Sequence, residues 1–276
     1  MIEKKHIEYK LLVLDLDGTL TNSKKEITPE TKQMLRKAQE HGIKVILASG
    51  RPTYGIVPLA EEINLAEYGG YILSYNGGVI INWKTREVVH EKELQKELIP
   101  QLYDMAKNHG VDIVSYLDRD VIAENGENKY VLHEASLNKM PLRVVDSFKE
   151  TVNCAVPKCL IVGESEQLVS LEERMKSVFE GEMNIFRSEP FFLELMPLNI
   201  DKAASLQVLL NHLGMKREEM ICCGDGFNDL SMIKFAGLGV AMSNAQDAVK
   251  AVADYITLSN DENGVAHVID KFIFKN

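Results

Sequence analysis

The sequence has no apolar run approaching the ~18 residues that a membrane helix needs. It has only four cysteines, Cys154, Cys159, Cys222 and Cys223, and none makes a C-x-x-C pair. The expectation is reduced, buried thiols in a cytoplasmic protein. The seven histidines show no zinc-ligand spacing. Positive charge is in deficit: the net charge is -10 at pH 7. That argues against nucleic acid or an anionic membrane as the main partner. It leaves room for a phosphorylated substrate, which needs only a local cationic patch and a metal. The chain contains no repeat, no low-complexity tract and no P-loop. Its opening, Met1 to Lys10, is charged and lacks an apolar core region, so no signal peptide is expected there.

What is present is ordinary in bulk and specific in places. The 276 residues suffice for one large domain or two smaller ones, with 45% hydrophobic and 26% charged residues. The organising stretch is Leu11 to Leu20, L-L-V-L-D-L-D-G-T-L. Four apolar residues running into Asp15 and Asp17 read as a buried parallel strand that ends in two carboxylates. Gly18 ends it as a turn. Aspartate is costly to bury, and a divalent cation with oxygen ligands is its natural partner. The plain alternative is a strand followed by an acidic turn.

Three later clusters carry the same signature, a polar group at a strand end or helix start. Ser49-Gly50-Arg51 follows the apolar run Ile43 to Ala48, Lys202 opens a helical segment, and Gly224-Asp225-Gly226-Phe227-Asn228-Asp229 follows Met220 to Cys223. Around them the pattern alternates strand and helix. Thr28-Pro29-Glu30 starts a helix that stops at Gly42. Tyr71 to Tyr75 and Val79 to Trp83 are strands around Asn76-Gly77-Gly78. Beyond Lys84 the texture changes: Glu91 to His109 reads as one helix, followed by strands and helices of a separate unit. The first texture returns with a strand at Phe191 to Met196 and a helix from Asp201. Asn244 is expected to cap a later helix. The fold class is therefore α/β: a doubly wound parallel sheet from residues 1–84 and 189–276, with an α+β unit inserted at 85–188.

The four motifs in this order resemble those of the haloacid dehalogenase superfamily. Over nearly the whole chain the sequence is similar to its Cof-type (subfamily IIB) phosphatases, and is most like the YidA-type sugar phosphatases. The likeness includes Ser74 to Gly78, Pro190 to Leu195, Gly239 to Ala245 and Asp261 to Ala266. It implies a Rossmann-like core with a C2B-type cap. It also implies an Mg2+-dependent phosphatase of small phosphorylated metabolites, sugar phosphates first. By the family pattern Asp15 attacks phosphorus and forms an aspartyl-phosphate. Asp17 is the acid and base, and Lys202 binds the phosphate. Leu16, Ser49, Gly50, Arg51, Asn76 and Asn228 would contact phosphate or substrate. Asp15, Asp17, Asp225 and Asp229 would surround Mg2+, with Asp229 better placed behind the ligands. These roles ask for a raised pKa at Asp17 and an ionised Asp15.

Arg51 has a second reading, ordering the Ser49 loop by pairing with a carboxylate. Asp201 stands where the family carries a small residue, which raises the question of an ion pair with Lys202. In the inserted unit Asp118-Arg119-Asp120, Tyr130, His133 and Glu134 look YidA-like, and ordinary packing is their plain alternative. Other functional readings are a phosphomutase, a phosphatase of a cofactor such as FMN or pyridoxal phosphate, and a silent binding protein. A receiver-type domain is disfavoured by length. The expected state is a monomer or homodimer.

Overall fold

The apolar run at the start of the chain is strand β1 (Leu11–Leu14), buried at every position. Burial of successive residues means both faces of the strand are covered, as in a parallel sheet flanked by helices. The structure is a computed structural model that describes residues 8–275; most of the charged opening, residues 1–7, lies outside them. The chain continues through β2 (Lys44–Ala48), β3 (Tyr71–Ser74), β4 (Val79–Asn82) and β5 (Val88–Glu91). Next come β6 (Asp112–Leu117), β7 (Asp120–Ala123), β8 (Leu142–Val144), β9 (Cys159–Val162), β10 (Met183–Glu189) and β11 (Phe192–Pro197). It closes with β12 (Met220–Gly224), β13 (Leu238–Ala241) and β14 (Tyr255–Ile256).

Two compact units result: residues to His90 with those from Asp201 on, and Glu91–Ile200. The first holds an eight-stranded sheet of order β14-β13-β12-β1-β2-β3-β4-β5. β1 lies parallel to both β2 and β12, with Leu14 opposite Leu47 and Cys223. Strand order runs outward from β1 in both directions, so its C-terminal end is the topological switch point where open α/β sheets place their ligands. The helix Pro29–Glu40 begins as its sequence dictates. Thr28 accepts a hydrogen bond from the Thr31 amide, Pro29 occupies the first turn, and Leu35 and Ala38 are buried.

The second unit has a six-stranded sheet, β10-β11-β9-β6-β7-β8, antiparallel except for β7 and β8. Alternate residues of its strands, such as Ile113, Ile161, Leu193 and Leu195, join helix residues Leu102, Leu168 and Met175 in a separate core.

Three expectations need correction. The strand at Phe191 to Met196 does not return to the first sheet. β11 pairs antiparallel with β10 and β9, so the unit boundaries fall at 90/91 and 200/201 rather than 84/85 and 188/189. A buried apolar run carries no mark of which sheet it joins; here a tight connection through Pro190-Phe191 folds it back on the strand before it. The helix expected from Glu91 starts only at Ile99, with Pro100 in its first turn. Leu94 instead exchanges backbone hydrogen bonds with Val156 and is buried in the second core. Cys159, Cys222 and Cys223 are buried free thiols, but Cys154 is exposed.

Candidate active site

Asp15 extends the β1 ladder, its amide donating to the Cys223 carbonyl at 3.1 Å. The chain then turns back on itself. The Leu16 carbonyl accepts from both the amide (2.9 Å) and the hydroxyl (2.9 Å) of Thr21, and the Leu20 amide donates to the Asp15 carbonyl. Gly18 makes that turn possible. Its φ of +86° is left-handed, and a Cβ there would sit 2.4 Å from Asp225 Oδ2. The sequence therefore leaves room for the Asp225 carboxylate against the β1 turn. Thr19 Oγ1 donates to Asp225 Oδ1 at 2.8 Å and fixes it there.

Lys202 is the centre of charge. It opens the helix Lys202–Leu213, and Asp201 caps that helix by accepting from the Ala204 amide at 3.0 Å. Asp201 thus serves the helix and does not pair with the lysine. The Lys202 ammonium is fully buried and donates to Asp15 Oδ1 (2.8 Å), Asp229 Oδ1 (2.6 Å) and the Ala48 carbonyl (3.0 Å). Each of its three donors has an acceptor, which burial requires. Burial opposes its charge, but Asp15 and Asp229 hold it above the ordinary lysine range.

Carboxylate oxygens of Asp15, Asp225 and Asp229 come within 4.8 Å of one another. Burial, with Asp229 beside it, pushes the Asp15 carboxyl up to about 8 despite Lys202. Burial likewise pushes Asp225 up to about 6. An all-oxygen donor set that resists charging suits a hard divalent cation, which would relieve it. The expectation of Asp229 as a metal residue meets a carboxylate already occupied. Oδ1 takes the lysine, and Oδ2 takes the amides of Asp225 and Gly226, each at 3.0 Å.

Asp17 departs from expectation. Its side chain points to two cations: Arg51 Nε and Nη2 donate at 2.9 and 2.7 Å, and Lys25 Nζ donates at 2.8 Å. Burial pushes its pKa up, but Arg51 and Lys25 outweigh that and hold it below the usual range. The expected ordering, Asp17 raised and Asp15 ionised, is reversed here: burial and Asp229 push Asp15 up, while Arg51 and Lys25 hold Asp17 down. Arg51 follows its second reading and pairs with a carboxylate.

The other expected residues converge on the same sheet edge. Ser49 is buried, and its hydroxyl accepts from the Arg51 amide at 3.2 Å. Its carbonyl accepts from the Asn76 amide at 2.9 Å. Gly50 lies against Asn76; a Cβ there would come within 3.1 Å of the Asn76 amide group. Asn228 Nδ2 donates to Asn76 Oδ1 at 3.0 Å, joining the two loops.

Sequence reasoning assigned no role to Lys25 or Asn260, and gave Asn244 a different one. Asn244 does not cap a helix; it donates to the Gly18 carbonyl and accepts from the Asn260 amide. No periodicity marks these residues: Asn244 and Asn260 act through contacts more than 200 residues away, and Lys25 through a turn that brings it back to Asp17.

In the second unit, Tyr130 stacks on Phe191 with centroids 5.0 Å apart and donates to Glu164. His133 packs edge-on against Phe191, and buried Glu134 accepts from Tyr116 and Asn138. Packing accounts for these contacts.

Comparison with known proteins bears on this geometry directly. The family model for haloacid dehalogenase-like hydrolases matches residues 12–269. YxeH of Bacillus subtilis (strain 168) is 33% identical over 268 residues, covering 96% of this chain and 98% of that one. From the same organism, YcsE, a 5-amino-6-(5-phospho-D-ribitylamino)uracil phosphatase, is 31% identical over 273 residues, covering 99% of each. A crystal structure of a haloacid dehalogenase-like hydrolase from Bacteroides thetaiotaomicron superposes with a TM-score of 0.94 at 55% identity, covering 96% of this chain and 99% of that one. The subclass IIB sugar phosphatase BT4131 superposes with a TM-score of 0.76 at 25% identity, covering 95% and 98%. The chain belongs to the haloacid dehalogenase-like hydrolases, and is a Cof-type phosphomonoester hydrolase among them.

Proposed function

We propose that the protein is an Mg2+-dependent phosphatase of small phosphorylated metabolites, with sugar phosphates as the leading class, working through an aspartyl-phosphate on Asp15. The observation that carries this reading is the buried Lys202 ammonium between Asp15 and Asp229, with Asp225 beside them. A cation fixed against a nucleophilic carboxylate in a dry site is preorganised for a dianionic phosphate.

In the first step Asp15 attacks phosphorus. The bond to the ester oxygen breaks, its electron pair stays on that oxygen, and Asp17 supplies the proton. In the second step water attacks the phospho-aspartate and gives its proton to Asp17. The bond to Asp15 breaks, releasing phosphate and the free carboxylate. Asp17 must therefore take up a proton despite its two cations. The negative charge of an incoming phosphate, shared with Arg51 and Lys25, raises its pKa in the required direction.

Asp15, Asp225 and the Asp17 main-chain carbonyl are the groups that would hold Mg2+, which supplies neutralisation of charge on the transferring phosphoryl oxygens. Asp229 would orient Lys202 and the Asp225 loop from behind. Ser49 and the Gly50 and Leu16 amides would hold phosphate oxygens, and Asn76 and Asn228 would close the far side. The proposed setting is the cytoplasm.

A second reading has its own support: YcsE is named for a phosphorylated ribitylaminouracil, which favours a cofactor-pathway phosphate as substrate. The test is phosphate release from a panel of hexose phosphates, FMN, pyridoxal phosphate and ribityl phosphates, with Mg2+ or with chelator. Mg2+-dependent release led by hexose phosphates supports the first reading, and release led by flavin-type phosphates the second. Unchanged release in chelator would exclude the metal.

A further inference from the structure

We infer that Lys25 is a positioning residue for Asp17, presented by a turn that the C-terminal part of the chain holds in place; the inference rests on Asp17 acting as acid and base. Lys25 Nζ lies 2.8 Å from Asp17 Oδ1, the oxygen that Arg51 Nη2 also reaches at 2.7 Å. Asp17 is thus gripped from two separate elements, the loop after β2 and the turn at residues 22–26. The Arg51 fork fixes the plane of the carboxylate. Lys25 adds a second direction to one of its oxygens.

The turn is built to deliver this lysine. Lys25 has a φ of 62°, a left-handed conformation that is unfavourable for a lysine. Its amide donates to the Asn22 carbonyl at 2.9 Å. Asn22 Oδ1 in turn accepts from the amides of Lys24 and Glu26. From outside, Asp261 accepts from both the amide (2.8 Å) and the hydroxyl (2.5 Å) of Ser23. Asn260 donates to the Thr21 carbonyl at 2.9 Å, and Thr28 Oγ1 donates to Asn263 Oδ1 at 2.6 Å. Residues on both sides of Lys25 are therefore tied to one segment, 260–263. A lysine that merely solvated a turn would gain nothing from a strained backbone, an internal Asn brace and these ties. One that must reach a fixed carboxylate does.

The role predicts a leaving-group signature. Proton donation by Asp17 matters when the departing oxygen is a poor leaving group, such as a sugar alkoxide, and matters little for 4-nitrophenolate. Because kcat/KM reports the steps through the first phosphoryl transfer, it isolates this effect from the second step. Lys25→Met should lower kcat/KM for a hexose 6-phosphate by about tenfold, the scale of a lost orienting contact, and that for 4-nitrophenyl phosphate less than about twofold. Lys25→Arg should restore the hexose phosphate value, and Asp261→Asn should reproduce the Lys25→Met pattern at smaller size. Asp17→Asn separates the two claims. If it shows the selective loss while Lys25→Met lowers both substrates equally or neither, the Lys25 inference is overturned and the acid role stands. If Asp17→Asn itself lacks the selective loss, the acid role fails and the inference falls with it.

Discussion

The Nζ of Lys202 lies 2.6 Å from Asp229 Oδ1, and neither side chain is exposed to solvent. Removing Asp229 leaves the buried Lys202 ammonium with Asp15 as its one carboxylate and strips the Asp225 and Gly226 amides of their acceptor. Asp229→Ala should therefore destabilise the protein by about 3–5 kcal/mol, measured by denaturant unfolding. Lys202→Met should reduce kcat by about 10²–10³-fold, the scale of losing a preorganised electrostatic contact. Added Mg2+ should raise the melting temperature of Lys202→Met more than that of the wild type, because three crowded carboxylates then have no other cation.

Gly18 tests the seat of the Asp225 carboxylate. Gly18→Ala introduces a Cβ 2.4 Å from Asp225 Oδ2 on a backbone at φ +86°. The left-handed conformation alone should cost about 1–3 kcal/mol, and displacement of Asp225 should weaken Mg2+ affinity. Calorimetric Mg2+ titration of the variant checks this; unchanged affinity would show that Asp225 does not need its present place.

The helix cap at Asp201 gives a graded test of how Lys202 is aimed. Asp201→Ala removes the bond to the Ala204 amide and should cost about 1 kcal/mol of stability. Because it does not pair with Lys202, the variant should keep its activity within about threefold, a spread typical of a small shift in geometry rather than a lost contact. Steady-state kinetics beside a melting curve separates the two effects.

In the second unit, Asp112 predicts the sign of a pH dependence. Burial pushes the Asp112 carboxyl up, but Lys107 and Asn128 outweigh it and hold it below its ordinary value. A depressed carboxyl stabilises the fold above its unfolded pKa of about 3.9, and that contribution disappears as pH falls through the lower folded value. Asp112→Asn should be less stable than the wild type at pH 7. The gap should close below about pH 4, as read from melting temperatures across pH 3–7.

Much of the first unit was legible because its signals are local. Strand β1, the helix at Pro29 and the cap at Thr28 each follow from a few adjacent residues. The residues of the charge cluster, Asp15, Lys202, Asp225 and Asp229, were found through motifs at strand ends and a helix start. What the sequence could not show is how the side chains pair once folded. Asp17 was expected with a raised pKa, yet Lys25 and Arg51, eight and 34 residues away, set it low. Asn244 was expected as a cap but braces the Gly18 turn, 226 residues away. The strand β11 was misplaced because apolar runs look alike whichever sheet receives them. Its partners, β10 and β9, are fixed only by tertiary pairing.

The central claim is that Asp15 carries the phosphoryl group. The most direct measurement is rapid acid quench of the wild type and Asp15→Asn during turnover of a radiolabelled hexose phosphate with Mg2+. The prediction is label bound covalently to the wild-type chain, recovered on the peptide containing Asp15, and none on Asp15→Asn, with turnover lost. Turnover that persists in Asp15→Asn, or label on another residue, would contradict it.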